Sequence, residues 1–580
     1  MRLVAGYLKN YKIQAIMAPL FKMLEAIFEL LVPLAVAKMI DDGIGGNDRG
    51  TIYAMGGVLL LLAAVGFGCS VTAQYFSAVA AAGVGKRLRL DLFRHISLLS
   101  YRELDRLGTS TLVTRMTSDT TQVQTGVNMV LRLFLRSPFI VFGAVIMAFT
   151  VDVKTALIFL IVLPMLILVV FSITFASIPL YRKVQGKLDQ VTLLTRENLS
   201  GVRVIRAFNR EEKEKEEYAA TSHQLMKAQT FVGRITAFMN PVTYVIVNCG
   251  IAALIHFGGI RVDAGDLTQG QVVALVNYMS QILVELIKLA NLIITMTKSI
   301  AATKRVEEVF ATAPSIVFPD KLEEEMKADA PRVEFREVSL SYTEGGEPAL
   351  QGVSFYANPG ETIGIIGGTG SGKSTLVNLV PRFYERNKGD IKINGVQIEA
   401  FPKKTLREMI GVVPQKAVLF SGSIAENLRW GNADASEEEL WDALRTAQAE
   451  SFVKDKEDGL GFMLNQGGRN LSGGQKQRLT IARALVKKPQ ILILDDSASA
   501  LDFATDAALR KAIRSNTAGM TVFLVSQRVS TVRTADRIIV LEDGEVSGIG
   551  THDELLSSCE TYQEICRSQL RQEEGVAVNG

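Results

Sequence analysis

The sequence predicts an all-α polytopic membrane domain of six transmembrane helices fused to an α/β domain built on a phosphate-binding loop. Three observations carry this. Six long apolar stretches precede residue 300, the chain turns charged and proline-bearing over 312–327, and a glycine-rich run ending in Lys-Ser follows an apolar, strand-like segment beyond that point. With 580 residues the chain is too long for one domain. A composition of 48% hydrophobic and 21% charged residues is what an apolar half averaged with an ordinary soluble half produces. The net charge of +3, from 63 basic and 60 acidic residues, speaks against nucleic acid as a partner. Cys69, Cys249, Cys559 and Cys566 form no CxxC pair and stand at no metal-ligand spacing, so neither a disulfide nor a zinc site is expected.

The expected domains are residues 1–310 for the membrane part, 311–330 for a linker and 331–580 for the α/β part. The amphipathic, basic N-terminus reads as an interfacial helix rather than a cleavable signal. The six apolar stretches are Ala15–Ile40, Tyr53–Ala73, Val130–Val151, Ala156–Ile178, Ala237–Phe257 and Gln271–Ile294. Each is long enough to cross about 30 Å of hydrocarbon. Short connections after the first, third and fifth carry only Arg49, Lys154 and Arg261. Long connections after the second and fourth carry Lys86, Arg87, Arg89, Arg94, Arg182, Lys183, Arg203 and Arg206. The basic side faces the cytoplasm by the positive-inside rule, which puts both termini there. No proline occurs between Pro33 and Pro138 or between Pro179 and Pro241, and helix formers fill both intervals, so the spans are expected to continue as helices and turn at Gly108–Ser118 and Glu197–Ile205.

Ionisable residues fall inside two spans: Lys22, Glu25 and Glu29 in the first, Glu285 and Lys288 in the sixth. Charges at membrane depth face a bundle interior or a wet cavity, which makes these candidate cavity residues. The plainer reading is pairing, since Lys22 with Glu25 and Glu285 with Lys288 are i, i+3 neighbours. Arg132 and Arg136 lie at the cytoplasmic end of the third span, where long side chains snorkel to water.

The strongest motif is Gly367-Gly368-Thr369-Gly370-Ser371-Gly372-Lys373-Ser374, followed by Thr375 and a helical pattern, and preceded by the apolar run Thr362–Ile366. Glycines let backbone N–H groups approach phosphates, Lys373 neutralises their oxygens and Ser374 offers a hydroxyl to Mg²⁺. Downstream, Ile491–Leu494 reads as a buried strand that presents Asp495 as a second Mg²⁺ ligand. Leu471-Ser472-Gly473-Gly474-Gln475 opens a helix whose free N–H groups form another anion site. A second outward-facing phosphate site makes sense if it grips nucleotide held by another subunit.

Taken together these motifs resemble the ATPase of ABC transporters, and the whole chain resembles a bacterial multidrug-type ABC exporter half-transporter of type IV fold. The resemblance implies ATP and Mg²⁺ as cofactors and a multi-pass location in the cytoplasmic membrane. It implies that Tyr342 stacks on adenine, that Gln415 in Val413-Pro414-Gln415 touches Mg²⁺, and that Ser499-Ala500-Leu501-Asp502 forms the D-loop at the dimer interface. It also implies that the two expected turns are coupling helices.

Two positions depart from the family pattern. The residue after the Mg²⁺ aspartate is usually the catalytic Glu; here it is Asp496, one methylene shorter. The switch position, usually His, is Gln527, which cannot supply the charge or proton handling of an imidazole. This chain's own ATP site is therefore expected to be degenerate, while Ser472–Gln475 completes a working site on the partner. A second, non-identical half-transporter is the implied partner, with a slow homodimer as the rival. The expected activity is ATP-driven export of hydrophobic or amphipathic small molecules, drugs, lipids or peptides, across the cytoplasmic membrane by alternating access, with the lipid bilayer as the surrounding partner. An ATP-gated channel is the alternative class.

Overall fold

The computed structural model describes residues 2–322, 324–343, 345–497, 501–516 and 519–578, with side chains placed through 569. Two compact units emerge. One comprises Met1–Ser97 and Gly108–Thr312, the other Leu98–Leu107 and Ala313–Gly580.

The first unit is all helical. Among the described residues, five helical stretches are long and apolar enough to cross a membrane: Arg49–Leu98, Thr109–Val151, Val153–Ser200, Glu211–Asp263 and Gln269–Ala311. The first apolar stretch forms a helix too, Lys12–Lys38, of 27 residues. Its length of about 40 Å suffices, but Lys22, Glu25 and Glu29 interrupt its apolar run, so the sixth span expected from sequence is not among the five. Helices Arg49–Leu98 and Val153–Ser200 run unbroken for 50 and 48 residues. At 1.5 Å per residue each exceeds about 70 Å, more than twice the hydrocarbon thickness.

The expected turn at Gly108–Ser118 is displaced. The chain turns earlier, through the short helix Tyr101–Leu107, which belongs to the second unit. Gly108 follows that helix at φ 75° and ψ 135°, at the N-cap position of the next helix, Thr109–Thr114. The glycine thus stands between the two short helices, where a positive φ suits a residue without a Cβ. In the other connection, Gly201 separates Val153–Ser200 from the short helix Val202–Ala207.

The membrane unit is pinned by buried polar contacts. Arg136 donates to Glu285 at 2.7 Å and to Glu29 at 2.6 Å, and Glu25 lies 3.9 Å from its Nε. Ser137 and Lys288 donate to Glu285 at 2.9 and 2.8 Å, and Lys22 pairs with Glu25 and reaches Ser70 Oγ at 3.1 Å. Both i, i+3 pairs are formed. Arg136, however, does not snorkel: its side chain is 7% exposed because three carboxylates surround it. Three cations thus balance three anions, the arrangement that makes buried charge tolerable. The Tyr278 hydroxyl donates to Leu30 O at 2.7 Å, and Asp41 accepts from Thr268 and from Gly270 N–H at 2.7 Å, tying Lys12–Lys38 and the segment after it to the last helix.

The second unit is α/β. A six-stranded sheet has the order Glu545–Gly550, Arg537–Glu542, Thr362–Gly367, Thr521–Val525, Ile491–Asp495, Ile410–Val413. All neighbours pair parallel except the first two. Ile491–Asp495 and Thr521–Val525 are buried throughout, as strands covered on both faces must be. An antiparallel sheet of Leu350–Ala357, Val333–Leu340, Lys388–Ile393 and Val396–Gln397 packs its Phe335, Phe355 and Ile391 into the same core as Ile363, Ile493 and Phe523.

Arg136→Ala strands Glu29 and Glu285 beside no guanidinium and is expected to cost about 3–5 kcal/mol. Lys288→Ala removes an ammonium that is 42% exposed and is expected to cost about 1 kcal/mol or less. Thermal denaturation of the two variants in detergent checks the order.

Candidate functional site

The carboxyl ends of the parallel strands build the site, the position where open α/β sheets bind ligands. Thr362–Gly367 runs into the loop Gly368, Thr369, Gly370, Ser371 and Gly372, and helix Lys373–Leu379 leaves it. A Cβ on Gly367 would meet Leu541 O at 2.2 Å and Ser371 Oγ at 2.6 Å. A Cβ on Gly372, at φ 93°, would meet Ala349 O at 2.6 Å. Glycine at these two positions is thus dictated by the close approach of neighbouring backbone. Lys373 Nζ sits inside the loop, donating to Gly367 O at 2.9 Å and to Gly368 O. Those carbonyls hold the ammonium within the glycine loop. Burial pulls Lys373 below the usual lysine range, and the charges of Asp496 and Asp495 oppose that pull.

Ser374 Oγ donates to Asp495 Oδ1 at 2.9 Å. Burial raises the Asp495 carboxyl above its ordinary range; the Ser374 hydrogen bond works against this and the Asp496 charge adds to it. Gln415 Nε2 donates to Asp496 Oδ2 at 3.2 Å. The fold therefore brings Lys373, Ser374, Gln415, Asp495 and Asp496 into one cluster. Asp496 itself has φ 44°, a left-handed backbone for which Asp is better suited than most residues, and its N–H donates to Val525 O at 2.9 Å. Gln527 follows strand Thr521–Val525 and is exposed. Its carbonyl accepts from Gln569 Nε2 at 2.7 Å.

Tyr342 is 41% exposed. Its hydroxyl lies 2.9 Å from Thr375 Oγ1, which places the ring beside the phosphate-loop helix. Tyr384 meets that ring edge to face at 5.1 Å. The Tyr384 hydroxyl donates to Asp105 at 2.7 Å, and Tyr101 packs on Phe383 at 4.7 Å. The sequence reading missed Tyr384, Asp105 and Tyr101; the Phe383-Tyr384 pair soon after the phosphate-loop helix was the available signal.

Ser472 caps helix Gly473–Val486, its Oγ accepting from Gln475 N–H while Gln475 Oε1 accepts from Ser472 N–H. This capping box holds Leu471–Gln475 in shape and leaves Ser472 and Gly473 exposed. Of the D-loop residues, Ser499 and Ala500 lie outside the described residues. Leu501 is buried, and Asp502 accepts from Thr505 N–H and Oγ1, both at 2.8 Å.

In the membrane unit, a cavity of about 390 Å³ is lined by Glu29 and Glu285 together with Pro33, Asn277, Ser280 and Gln281. Of the five charged residues expected to face a cavity, Glu29 and Glu285 line this one. Lys22, Glu25 and Lys288 do not; they serve the charge network instead.

Comparison with known proteins agrees with this geometry. Residues 15–286 match the family model described as ABC transporter transmembrane region, and residues 350–499 match that described as ABC transporter. The chain is 37% identical over 575 residues to the uncharacterized ABC transporter ATP-binding protein YfiB of Bacillus subtilis, covering 99% of each chain. It is 35% identical over 570 residues to an uncharacterized ABC transporter ATP-binding protein of Mycobacterium tuberculosis, covering 98% of each. It is 31% identical over 569 residues to the ATP-dependent lipid A-core flippase of Chromobacterium violaceum, covering 97% of this chain and 96% of that one. Its fold matches a bacterial Atm1-family ABC exporter with ATP bound, at TM-score 0.78 and 24% identity over 97% of this chain and 99% of the other. A helical transmembrane region, a glycine loop shaped for phosphate and near-complete coverage by such relatives converge on one assignment: the chain belongs to the ABC transporter family, with its membrane region fused to an ATP-binding domain whose ATPase activity is coupled to transport.

Proposed function

We propose that this chain is the degenerate-site half of a heterodimeric ABC exporter. The observation that carries the reading is the contrast between Asp496 with Gln527 and the intact, capped Ser472–Gln475 segment. In a head-to-tail nucleotide sandwich, the first pair belongs to this chain's own site and the second completes the partner's. A carboxylate withdrawn by one methylene and a switch residue without an imidazole leave a site that holds ATP and hydrolyses it slowly. Leu501 and Asp502, with Ser499 and Ala500 before them, form the D-loop that crosses the interface in this reading.

ATP lies with its adenine on Tyr342 and its phosphates on Gly367–Thr375. Mg²⁺ suits the oxygen donors that Ser374, Asp495 and Gln415 supply; a hydroxyl and a carboxylate already 2.9 Å apart form the kind of hard-donor pair the ion takes. When bound, the ion neutralises charge on the phosphate oxygens. Lys373 exchanges its loop carbonyls for phosphate. Gln415 orients the Asp496 carboxylate through their hydrogen bond, and Asp496 is the group nearest to a general base.

Six spans, with Lys12–Lys38 as the first, and two cytoplasmic termini complete the reading. The basic connections support the orientation, and the balanced charges support burial of the first helix in the bundle rather than in lipid. Two bound ATP molecules draw the ATP-binding domains together and bias the membrane helices outward, because ATP prefers one conformation. The exported class is amphipathic or hydrophobic small molecules, drugs, lipids or peptides; the lipid A-core flippase among the relatives supports the lipids in that range. The cavity bounded by Glu29, Gln281 and Glu285 is the candidate contact site, in the plasma or inner membrane.

Two outcomes are expected. The chain reconstituted alone in nanodiscs hydrolyses Mg-ATP at only a few per cent of the rate of the complex captured with its natural partner; brisk turnover by the isolated chain, abolished by Asp496→Ala, would overturn the asymmetry. In the captured complex, Asp496→Glu combined with Gln527→His raises hydrolysis at this chain's site by at least about tenfold, read as phosphate release from nucleotide cross-linked to this chain.

A further inference from the structure

The loop that carries Gln527 is held by a residue far along the chain. Strand Thr521–Val525 ends at Ser526, which is buried and donates its N–H to Ile365 O at 3.1 Å. The next two backbone groups facing outward do not pair with the sheet. Gln527 C=O accepts from Gln569 Nε2 at 2.7 Å, and Val529 N–H donates to Gln569 Oε1 at 2.9 Å. One carboxamide thus satisfies an acceptor and a donor two residues apart, much as a neighbouring strand would. Val529 opens the short helix Val529–Val532, whose N-cap residue Arg528 offers no side-chain hydrogen bond. The Gln569 oxygen takes the place of that missing cap.

Gln569 is itself well anchored. It lies in helix Glu560–Val578, where Tyr562, Cys566 and Gln569 share one face at i, i+4, i+7 spacing. Tyr562 and Cys566 are buried against Val532, Ile538, Leu555 and Cys559, and the Tyr562 hydroxyl lies 2.8 Å from His552 Nδ1. On the other side of the loop, the Arg528 guanidinium sits 5.1 Å from the Phe503 ring centroid. The backbone around Gln527 is therefore gripped while its side chain stays exposed.

We infer that Gln569 is a positioning residue for the switch loop, holding Gln527 where its amide reaches nucleotide phosphate in this chain's own site. This rests on the assignment of Gln527 as the switch residue, and not on whether the site hydrolyses ATP. The test uses a non-hydrolysable 8-azido adenine nucleotide with Mg²⁺, photo-cross-linked to this chain in the captured complex after a timed chase with unlabelled ATP. Loss of two hydrogen bonds in Gln569→Ala is expected to speed release about tenfold. Gln569→Glu, equal in shape but unable to donate to the Gln527 carbonyl, is expected to behave like the alanine variant. In a Gln527→Ala background, Gln569→Ala is expected to change release by less than about twofold, since the group being positioned is gone. Equal acceleration in both backgrounds, or full retention by Gln569→Glu, would show that Gln569 only packs the C-terminal helix. An unchanged release rate in Gln569→Ala would overturn the inference outright. If Gln527→Ala alone leaves release unchanged, the switch assignment fails first; rapid hydrolysis of ATP at this site would remove the degenerate-site reading and leave the inference standing.

Discussion

Parallel pairing of Thr362–Gly367, Thr521–Val525 and Ile491–Asp495 decides where Lys373, Ser374, Asp495 and Asp496 meet. Val525 stands opposite Asp495 on one side and Ile365 on the other, so the ends of the three strands lie at one edge of the sheet. From that edge the chain releases the glycine loop Gly368–Gly372, Asp495 with Asp496, and the loop that carries Gln527. A slip of one residue in any pairing would turn the inward-facing residues of that strand to the opposite face. The buried Ile, Leu and Val residues of these strands prevent the slip, so the hydrophobic core is also what aligns the site.

Glycine and aspartate chemistry refine the edge. Gly367 and Gly372 are tolerated where a Cβ would strike backbone carbonyls, and that crowding keeps the loop tight enough for its N–H groups to converge on an anion. Asp496 occupies a left-handed backbone whose N–H is spent on Val525 O. The shortened carboxylate is therefore set on a fixed stem, and its reach depends on side-chain length alone. Gln415, bonded to it, adds the loop after Ile410–Val413 to the same cluster.

The membrane unit solves a different problem. Charges in an apolar bundle must be paired or solvated, and Arg136 resolves this for Glu25, Glu29 and Glu285 at once. Burial of the network leaves Glu29 and Glu285 on the wall of a cavity with their charges already answered. The cavity wall thus carries carboxylates that already have cationic partners. The helix that carries three of the charges is also the one whose apolar run is interrupted.

The linear pattern of residues was sufficient for the helical membrane part and the α/β part, because each depends on local periodicity; the roles of Gly367–Ser374, Asp495 and Leu471–Gln475 belong to the proposed function. It also located the ion pairs Lys22–Glu25 and Glu285–Lys288, which are i, i+3 neighbours. It misplaced Arg136, whose partners come from two other helices, and the first turn, which runs through Tyr101–Leu107 ahead of Gly108. The Tyr384–Asp105 contact and the grip of Gln569 on the Gln527 loop were invisible. Those contacts join residues far apart in the chain, and only the packing of helix Glu560–Val578 and of the short crossing helix within the second unit brings them into hydrogen-bond range. Local sequence determined which groups this protein would use; tertiary packing decided which of them meet, because direction and distance between remote segments are set by how their apolar faces fit.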